Sequence, residues 1–466
     1  MEIFIYGAVA CSTAGAFVYS KELEDLLKRK GISVGDMIRF SAKEISGEGE
    51  LMPRSEAGDP GVLVIKLKNG YNIGIKSEGT KLEKLSGREG SGEVSFPTRR
   101  LVQREGLPKV TLIYTGGTIG SKIDYKTGGV YMLLKPEELL YEVPELSDIA
   151  SIDVVNLMSI ASEDMSPAEW KLMAQAVANA IRGGSRGVVI THGTDTMHYT
   201  SAALSFMLKG LNAPVVLTGA QRSSDRGSSD AFMNLVAATN IAAKSNIAEV
   251  GVCMHNSSSD DEFSFIRGTK VRKMHTSRRN AFRPINDKPL AYVTAGGEIS
   301  YSHNPGSGYH TITQHAGKLE VMPEFDSKVA ILKAYPGSNP EIVQYYIDKG
   351  YHGLIIEGTG LGHTPVSISH EGMSWLPYLK RAVESGLVVG MTSQCVYGRV
   401  NPSVYRNLRL LSSAGVIYCE DMSTETAYVK LGWLLANYGR EKARELLNVN
   451  IAGEIKSRSM FDEFLV

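Results

Sequence analysis

The sequence predicts an α/β protein in which two parallel-sheet domains follow a small N-terminal β-barrel-like module. Short, nearly continuous apolar runs separated by amphipathic segments predict the two α/β domains. The stretch GVLVIKLKNGYNIGIK predicts the module, because it alternates apolar and polar residues on both sides of Asn69-Gly70, which is a strong hairpin signal. At 466 residues, the chain is also too long for one compact core.

The order of these patterns divides the chain into five segments. The predicted boundaries are 1–30 for a tail and the short amphipathic helix KELEDLLKRK, 31–85 for the module, 86–109 for a linker rich in Gly, Ser, Arg and Glu, 110–322 for the first α/β domain, and 323–466 for the second. The first 20 residues are apolar, but Glu2 stands where a signal peptide has basic residues, and the run is short for a membrane span. We therefore expect no membrane association.

The apolar runs and the capping signals place the main elements of the two α/β domains. In the first domain, VTLIY (110–114) and GVVIT (187–191) predict buried parallel strands, and Ser166 with Glu169 forms a capping box that opens a helix ending near Arg182. Further helices are predicted from about 195 to 209 and from 229 to 244. The second domain has the strands VAILKA (329–334), GLIIEG (353–358), GLVVGMT (386–392) and GVIYC (415–419), with a long helix over about 424–438.

Composition excludes several classes of function. The 50 basic and 50 acidic residues cancel, so the chain has no overall electrostatic attraction for nucleic acid. Its four cysteines are scattered without a CxxC pair, which is typical of a reduced, cytoplasmic protein. The ten histidines form neither HExxH nor a Cys/His cluster, so we expect no metal site.

Hydroxyl side chains follow two of the predicted parallel strands. Thr115-Gly116-Gly117-Thr118 follows the first strand, and Thr191-His192-Gly193-Thr194-Asp195 ends another. Ligands bind beyond the carboxyl ends of such strands, and the glycines permit tight turns whose backbone N–H groups can stabilise an oxyanion. Each motif alone has a commoner structural explanation as a turn or a helix N-cap, and Lys273 and Tyr125 alone would be surface residues. Their combination and order are far more specific.

The combined motifs resemble the L-asparaginase/glutaminase family of threonine-dependent amidohydrolases. The matching stretches are TGGTIG (115–120), DYKTGG (124–129), SEDM (162–165), THGTDTM (191–197), VLTGAQR (216–222) and RKMHTSRRNAF (272–282). The resemblance spans 110 to about 440 and implies two asparaginase-type domains, an amide-hydrolysing site, and an oligomer in which the second domain of one protomer helps to complete the site of its neighbour.

The resemblance also implies a role for each matching residue. Thr118 matches the nucleophile and Tyr125 the tyrosine of a mobile lid. Thr194, Asp195 and Lys273 match a second hydroxyl, a substrate-binding carboxylate and a lysine base. The implied substrate-binding residues are Ser162, Glu163 and Gly193, although Ala161 stands where family members often have glycine. The family's acidic residue from the second domain has no assigned counterpart here.

The N-terminal module and linker are similar to those of archaeal tRNA-dependent amidotransferases. This similarity implies that the chain releases ammonia from glutamine and that a tRNA-binding partner, the E-type component of such enzymes, uses it to convert Glu-tRNA(Gln) to Gln-tRNA(Gln). The similarity also implies that the chain forms a homodimer and that the complex with the partner is a heterotetramer. The partner would bind most of the tRNA and use ATP and magnesium, so we expect no cofactor on this chain, which has no Walker A motif.

Three alternatives remain open from the sequence. The first is a stand-alone cytoplasmic L-asparaginase/glutaminase with an appended module. The second is an inactive scaffold, against which the complete set of hydroxyl, carboxylate and lysine residues argues. The third is a dinucleotide-binding enzyme, which is a poor match because the turn after the first strand is GGxxG and not GxGxxG.

Overall fold

The computed structural model describes residues 19–42, 45–52, 59–67, 72–86, 106–123, 130–132, 143–223, 229–302, 310–311, 319–367 and 373–464. These residues form two compact units, a small N-terminal module and a larger α/β unit, and each has its own buried apolar core. No helix in this part of the chain combines the length and apolar character that a membrane crossing requires.

A helix and an antiparallel sheet build the N-terminal module. Its elements are α1 (Lys21–Arg29), β1 (Met37–Ser41), β2 (Ser46–Met52), β3 (Val62–Leu67), β4 (Asn72–Lys76) and β5 (Lys81–Ser86). Over the described residues the strands pair antiparallel in the order β4-β3-β2-β1-β5. Alternate side chains such as Ile38, Phe40 and Leu51 are buried, because successive residues of a strand lie on opposite faces. The predicted turn at Asn69-Gly70 lies outside the described residues.

The first α/β domain is built around one large sheet. The strands between residues 109 and 301 are β6 (Lys109–Gly116), β7 (Ser121–Ile123), β8 (Val130–Met132), β9 (Ser151–Ile160), β10 (Gly187–Thr191), β11 (Leu208–Lys209), β12 (Val215–Thr218), β13 (Val250–His255), β14 (Glu262–Arg267), β15 (Val271–Lys273), β16 (Phe282–Pro284), β17 (Ala291–Thr294) and β18 (Ile299–Tyr301). Strands β7 and β8 form a separate two-stranded sheet, β15 and β16 form another, and β11 also lies outside the large sheet. Strands β9, β6, β10, β12 and β13 are parallel neighbours, and β14, β17 and β18 extend the sheet antiparallel. The antiparallel extension follows from the short connection 256–261, which is too short for a parallel crossover.

Helices cover both faces of this sheet. They are α2 (Leu146–Ile149), α3 (Pro167–Arg182), α4 (Met197–Met207) and α5 (Ala231–Lys244). The predicted capping box is present at the start of α3, where the Ser166 hydroxyl accepts from the Ala168 N–H and the Glu169 carboxylate accepts from the Ser166 N–H at 2.8 Å. Helices α3 and α4 pack on one face of the sheet and α5 on the other, which is why β10 is buried along its whole length.

The second α/β domain has a smaller parallel sheet. Its elements are β19 (Glu320–Val321), β20 (Val329–Lys333), α6 (Ile342–Asp348), β21 (Gly353–Gly358), α7 (Trp375–Glu384), β22 (Val388–Ser393), α8 (Arg406–Ser413), β23 (Ile417–Tyr418) and α9 (Thr424–Leu446). Strands β20 to β23 are parallel and adjacent in chain order. Helix α9 is broken by a kink at Gly439, whose φ of +78° is not helical, so its first segment ends where the sequence predicts, near residue 438. It packs on α4 of the first domain, and Trp433 stacks on Phe206 with ring centroids 5.5 Å apart.

Candidate active site

Two adjacent strands bring the predicted hydroxyl motifs to one edge of the large sheet. Strands β6 and β10 are parallel, with Tyr114 opposite Thr191, so the turns that follow them leave the sheet side by side. The Thr115 hydroxyl donates to the Thr191 carbonyl at 2.6 Å and joins the two strand ends directly. Thr118 follows one strand end with a half-buried side chain, and Thr194 follows the other and is buried.

Glycines allow the two turns to touch. Gly117 has φ +83°, and a Cβ atom on it would lie 2.4 Å from the Gly193 nitrogen. Real Cβ atoms do not approach backbone atoms so closely, so the contact requires glycine at this position. The positive φ makes the same demand independently. The two threonine-bearing turns are therefore in direct backbone contact.

Lys273 contacts two of the predicted site residues. Its Nζ lies 2.9 Å from Thr194 Oγ1 and 2.7 Å from Asp195 Oδ1. The lysine side chain is only 10% exposed and Thr194 is 6% exposed, whereas the Asp195 side chain is 67% exposed. Lys273 ends the short strand β15, which pairs with β16. An amine held in this way can exchange a proton with the threonine hydroxyl, while the exposed carboxylate is accessible to a ligand.

The turn containing Ser162 closes against the same glycine-rich edge. Ser162 is buried in a single 3₁₀ turn (Ser162–Asp164), and a Cβ atom on Gly193 would lie 2.7 Å from the Ser162 Cβ. The Thr196 hydroxyl donates to the Ser162 carbonyl at 2.6 Å, which holds this turn beside the Thr194 turn. Glu163 is exposed. Ser162 and Gly193 are therefore in contact, and Glu163 extends outward from the same turn.

Tyr125, the predicted lid tyrosine, lies outside the described residues. In the described part of the chain, no group of three or more His, Cys, Asp or Glu side chains could hold a metal ion.

A buried relay behind Thr194 was not anticipated from the sequence. His192 is fully buried, its Nδ1 donates to the Gly193 carbonyl at 2.6 Å, and its Nε2 accepts from the Thr200 hydroxyl at 2.9 Å. Trp170 Nε1 donates to the same hydroxyl at 3.0 Å. Burial lowers the pKa of His192 to about 4, so the ring is neutral and its tautomer is set by these partners. The relay fixes the backbone of the Thr194 turn.

The end of β12 supports this turn from the other side. The Asp230 carboxylate accepts from the backbone N–H groups of Gln221 and Arg222, and Asn234 donates to the Gly219 carbonyl at 3.0 Å. A Cβ atom on Gly219 would lie 2.4 Å from the His192 carbonyl oxygen. The VLTGAQR motif therefore supplies support for the site, a role that only its packing reveals.

Comparison with known proteins covers both the site and the N-terminal module. The family profiles "Asparaginase, N-terminal", "Glutaminase/Asparaginase C-terminal domain" and "GatD N-terminal domain" match residues 109–306, 328–447 and 32–85, respectively. The chain is 49% identical over 451 residues to the D-type subunit of glutamyl-tRNA(Gln) amidotransferase from Thermococcus kodakarensis, covering 96% of this chain and 99% of that relative.

The chain belongs to the GatD family of glutamyl-tRNA(Gln) amidotransferase subunits. The corresponding protein of Pyrococcus abyssi is 48% identical over 450 residues, covering 95% of this chain and 99% of that protein. The family resemblance and the fold class predicted from the sequence are thus confirmed.

Solved structures match the α/β unit of this GatD family member. The thermostable L-asparaginase from Thermococcus kodakarensis has a TM-score of 0.65 and 32% identity, covering 75% of this chain and 100% of that structure. L-asparaginase I from Vibrio cholerae has a TM-score of 0.64 and 31% identity, covering 75% of this chain and 99% of that structure. The amidotransferase relatives, in contrast, match nearly the full length.

Proposed function

We propose that the chain is the glutamine-hydrolysing component of a glutamyl-tRNA(Gln) amidotransferase. The observation that carries this proposal is the match over 96% of the chain to a named amidotransferase component, together with the contact of Lys273 with Thr194 and Asp195. An asparaginase-type site supplies the amide hydrolysis. The module matched over 32–85 distinguishes the chain from the L-asparaginases, which match three quarters of it.

In this proposal Thr118 is the nucleophile. Its Oγ attacks the side-chain amide carbon of glutamine, and its proton passes to a base and then to the departing nitrogen, which leaves as ammonia. Water then attacks the acyl-threonine ester, releases glutamate and restores the Thr118 hydroxyl. Two steps are easier than one because a carboxamide is a weak electrophile. Backbone N–H groups of the glycine turns would stabilise the tetrahedral oxyanions.

Lys273 and Thr194 are proposed to move the proton. The 2.9 Å contact allows a neutral Lys273 amine to accept a proton from the Thr194 hydroxyl, which in turn accepts one from the reacting centre. The Lys273 side chain is only 10% exposed, which limits the competition of bulk water for this contact. General-base assistance of this kind is typically worth about 100- to 10,000-fold in rate.

Asp195, Ser162, Glu163 and Gly193 are proposed to select the substrate. The exposed Asp195 carboxylate can pair with the α-ammonium group of glutamine, and the Ser162 turn lies beside it against Gly193. An amide within a peptide has no such ammonium group, so the pairing would favour a free amino acid. Tyr125 is proposed to cover the substrate, which would exclude water and retain the ammonia.

The ammonia is proposed to be used by a partner chain. The relatives are named as one component of an amidotransferase, so we infer a complex with a tRNA-binding E-type partner, as a heterotetramer built on a homodimer of this chain. That partner would use ATP and magnesium to activate the glutamyl group of Glu-tRNA(Gln), and ammonia would convert it to Gln-tRNA(Gln). We therefore infer a cytoplasmic location, where tRNA is aminoacylated.

The test compares two nitrogen donors in the assembled complex. Thr118→Ala and Thr194→Ala should each lower glutamine-dependent formation of Gln-tRNA(Gln), by about 1,000-fold or more for the nucleophile, while ammonium-dependent formation continues. The matched control is Thr294→Ala, at an exposed threonine on β17, which should change neither. Glutamine-dependent turnover that survives both site changes would contradict the assignment. Glutamine hydrolysis unaffected by partner and Glu-tRNA would instead favour a stand-alone glutaminase.

A further inference from the structure

A second ion pair lies one residue away from Lys273. Arg272 Nη2 is 2.8 Å from Glu425 Oε1, and the Glu425 side chain is only 11% exposed. Arg272 is on β15 of the first domain, whereas Glu425 is in the first turn of α9 in the second domain. The strand that carries Lys273 is therefore tied to the long helix of the other domain.

A buried histidine lies among these charges. His198 follows Asp195 by three residues, is 9% exposed, and has no hydrogen-bond partner at Nδ1. Its helix, α4, packs against both α9 and β15. The charged or titratable groups that act on His198 and the adjacent Tyr199 are Asp195, His192, Arg272, Lys273, Glu357, Glu425 and Tyr428.

The ring of His198 is neutral at working pH. Burial lowers its pKa to about 4, more than Glu425 raises it. Glu425, Arg272, Lys273 and Asp195 all act electrostatically on this ring, so it lies close to both ion pairs. The Lys273 and Glu425 side chains are only 10% and 11% exposed. Charges that are shielded from water interact more strongly, so the charge state of one pair affects the other.

We propose that Arg272, Glu425 and His198 are positioning residues that set the charge balance around Lys273, so that its capacity to accept the Thr194 proton depends on the docking of α9. This inference rests on the proposed function, because it assigns Lys273 as the base. The opposite charges of Arg272 and Glu425 act on the lysine in opposite directions. Loss of the carboxylate favours the neutral amine, and loss of the guanidinium favours the ammonium.

The experiment is the pH dependence of kcat for glutamine hydrolysis by the assembled complex. If the reaction needs a neutral lysine, kcat rises with pH on the low-pH side of the profile, which is called its acid limb. Glu425→Gln should move this limb to lower pH by about one unit, and Arg272→Gln should move it to higher pH by a similar amount. The double variant should return close to the parent position. If the Arg272–Glu425 pair only held the strand and the helix together, both variants would lower kcat at every pH and would not shift the acid limb in opposite directions.

His198 is tested by its effect on that coupling. His198→Ala should admit water to the space that the buried ring fills, so adding Glu425→Gln to it should produce a clearly smaller shift than Glu425→Gln alone. The matched control is Glu324→Gln, which breaks the exposed Lys171–Glu324 pair of 2.6 Å and should leave the limb in place. Thermal melting establishes that each variant is folded.

The outcomes separate this inference from the proposed function. A parent complex without glutamine hydrolysis would overturn the proposed function. A fully active complex whose acid limb moves the same way, or not at all, in Glu425→Gln and Arg272→Gln would overturn only the coupling. If Glu425→Gln does not fold, Arg272→Gln decides the question alone, because an upward shift supports the coupling and a fixed limb contradicts it.

Discussion

Replacing Gly117 by alanine should force apart the two turns that carry Thr118 and Thr194. The new Cβ would lie 2.4 Å from the Gly193 nitrogen and 2.7 Å from the Gly193 Cα. Non-bonded heavy atoms prefer about 3.5–4.0 Å, so one turn must move by about 1 Å. A displacement of that size at reacting groups can cost about 100-fold in rate.

The same substitution should also destabilise the α/β unit. An alanine at φ +83° costs about 1–2 kcal/mol, and forcing extra volume into a packed contact costs about 1–3 kcal/mol more. We therefore expect a loss of about 2–5 kcal/mol, measured from the unfolding transition of this unit in urea. The kcat for glutamine, measured below that transition, should fall by about 100-fold.

Gly184→Ala separates the steric effect from the backbone effect. Gly184 has φ +87°, but a Cβ atom on it would meet nothing within 4 Å. The free energy of unfolding of Gly184→Ala should therefore fall only by the backbone contribution of about 1–2 kcal/mol, and its kcat should not change. If Gly117→Ala matches Gly184→Ala in both stability and kcat, the turns are not in the contact described, and the argument for a shared site loses its basis.

Two further predictions concern the lysine and the buried histidines. Lys273→Met should lower glutamine-dependent turnover by about 100- to 10,000-fold while ammonium-dependent amidation continues, as measured in the assembled complex. The α/β unit should become less stable as the pH falls from about 6.5 towards 4. In the folded state His192 and His198 have a lowered pKa of about 4 and stay neutral over this range. In the unfolded chain the same rings take up protons, which favours unfolding. Each ring contributes up to about 3 kcal/mol to this loss, so His198→Gln should flatten the pH dependence of unfolding in urea.

Each of these predictions has a control on the same unit. Lys209→Met, at an exposed lysine of β11, should leave glutamine-dependent turnover unchanged. If Lys209→Met and Lys273→Met lowered turnover equally, Lys273 would have no specific role in the reaction. His275→Gln changes an exposed ring and should not flatten the pH dependence. A His198→Gln variant with the parent's slope between about pH 4 and 6.5 would show that the ring is protonated in the folded protein.

Local patterns along the chain were sufficient to predict most elements near the site. The capping box at Ser166 and Glu169 depends on residues three apart, so it is visible in the sequence and present in the structure. Strand β10 was predicted from its continuous apolar run, because a strand covered on both faces needs apolar residues on both. The glycines at 116, 117 and 193 likewise marked the positions of the tight turns, although not the contact between these turns.

Other features depend on contacts between distant segments, and the sequence did not predict them. The antiparallel extension of the large sheet and the relay from Trp170 to His192 join segments that no local pattern connects. Glu425 had no visible role, since its partner Arg272 is 153 positions earlier in the chain.

The sequence by itself determined the order of the domains, the strands that end in hydroxyl motifs and the family to which the chain belongs. It did so because periodicity, capping and glycine turns are local, and because motifs keep their order along the chain. Tertiary structure alone decided that Lys273, otherwise an ordinary surface lysine, contacts Thr194 and Asp195 with its side chain only 10% exposed. Burial and charge contacts arise only when separate segments pack together, and they turn these residue types into a candidate site.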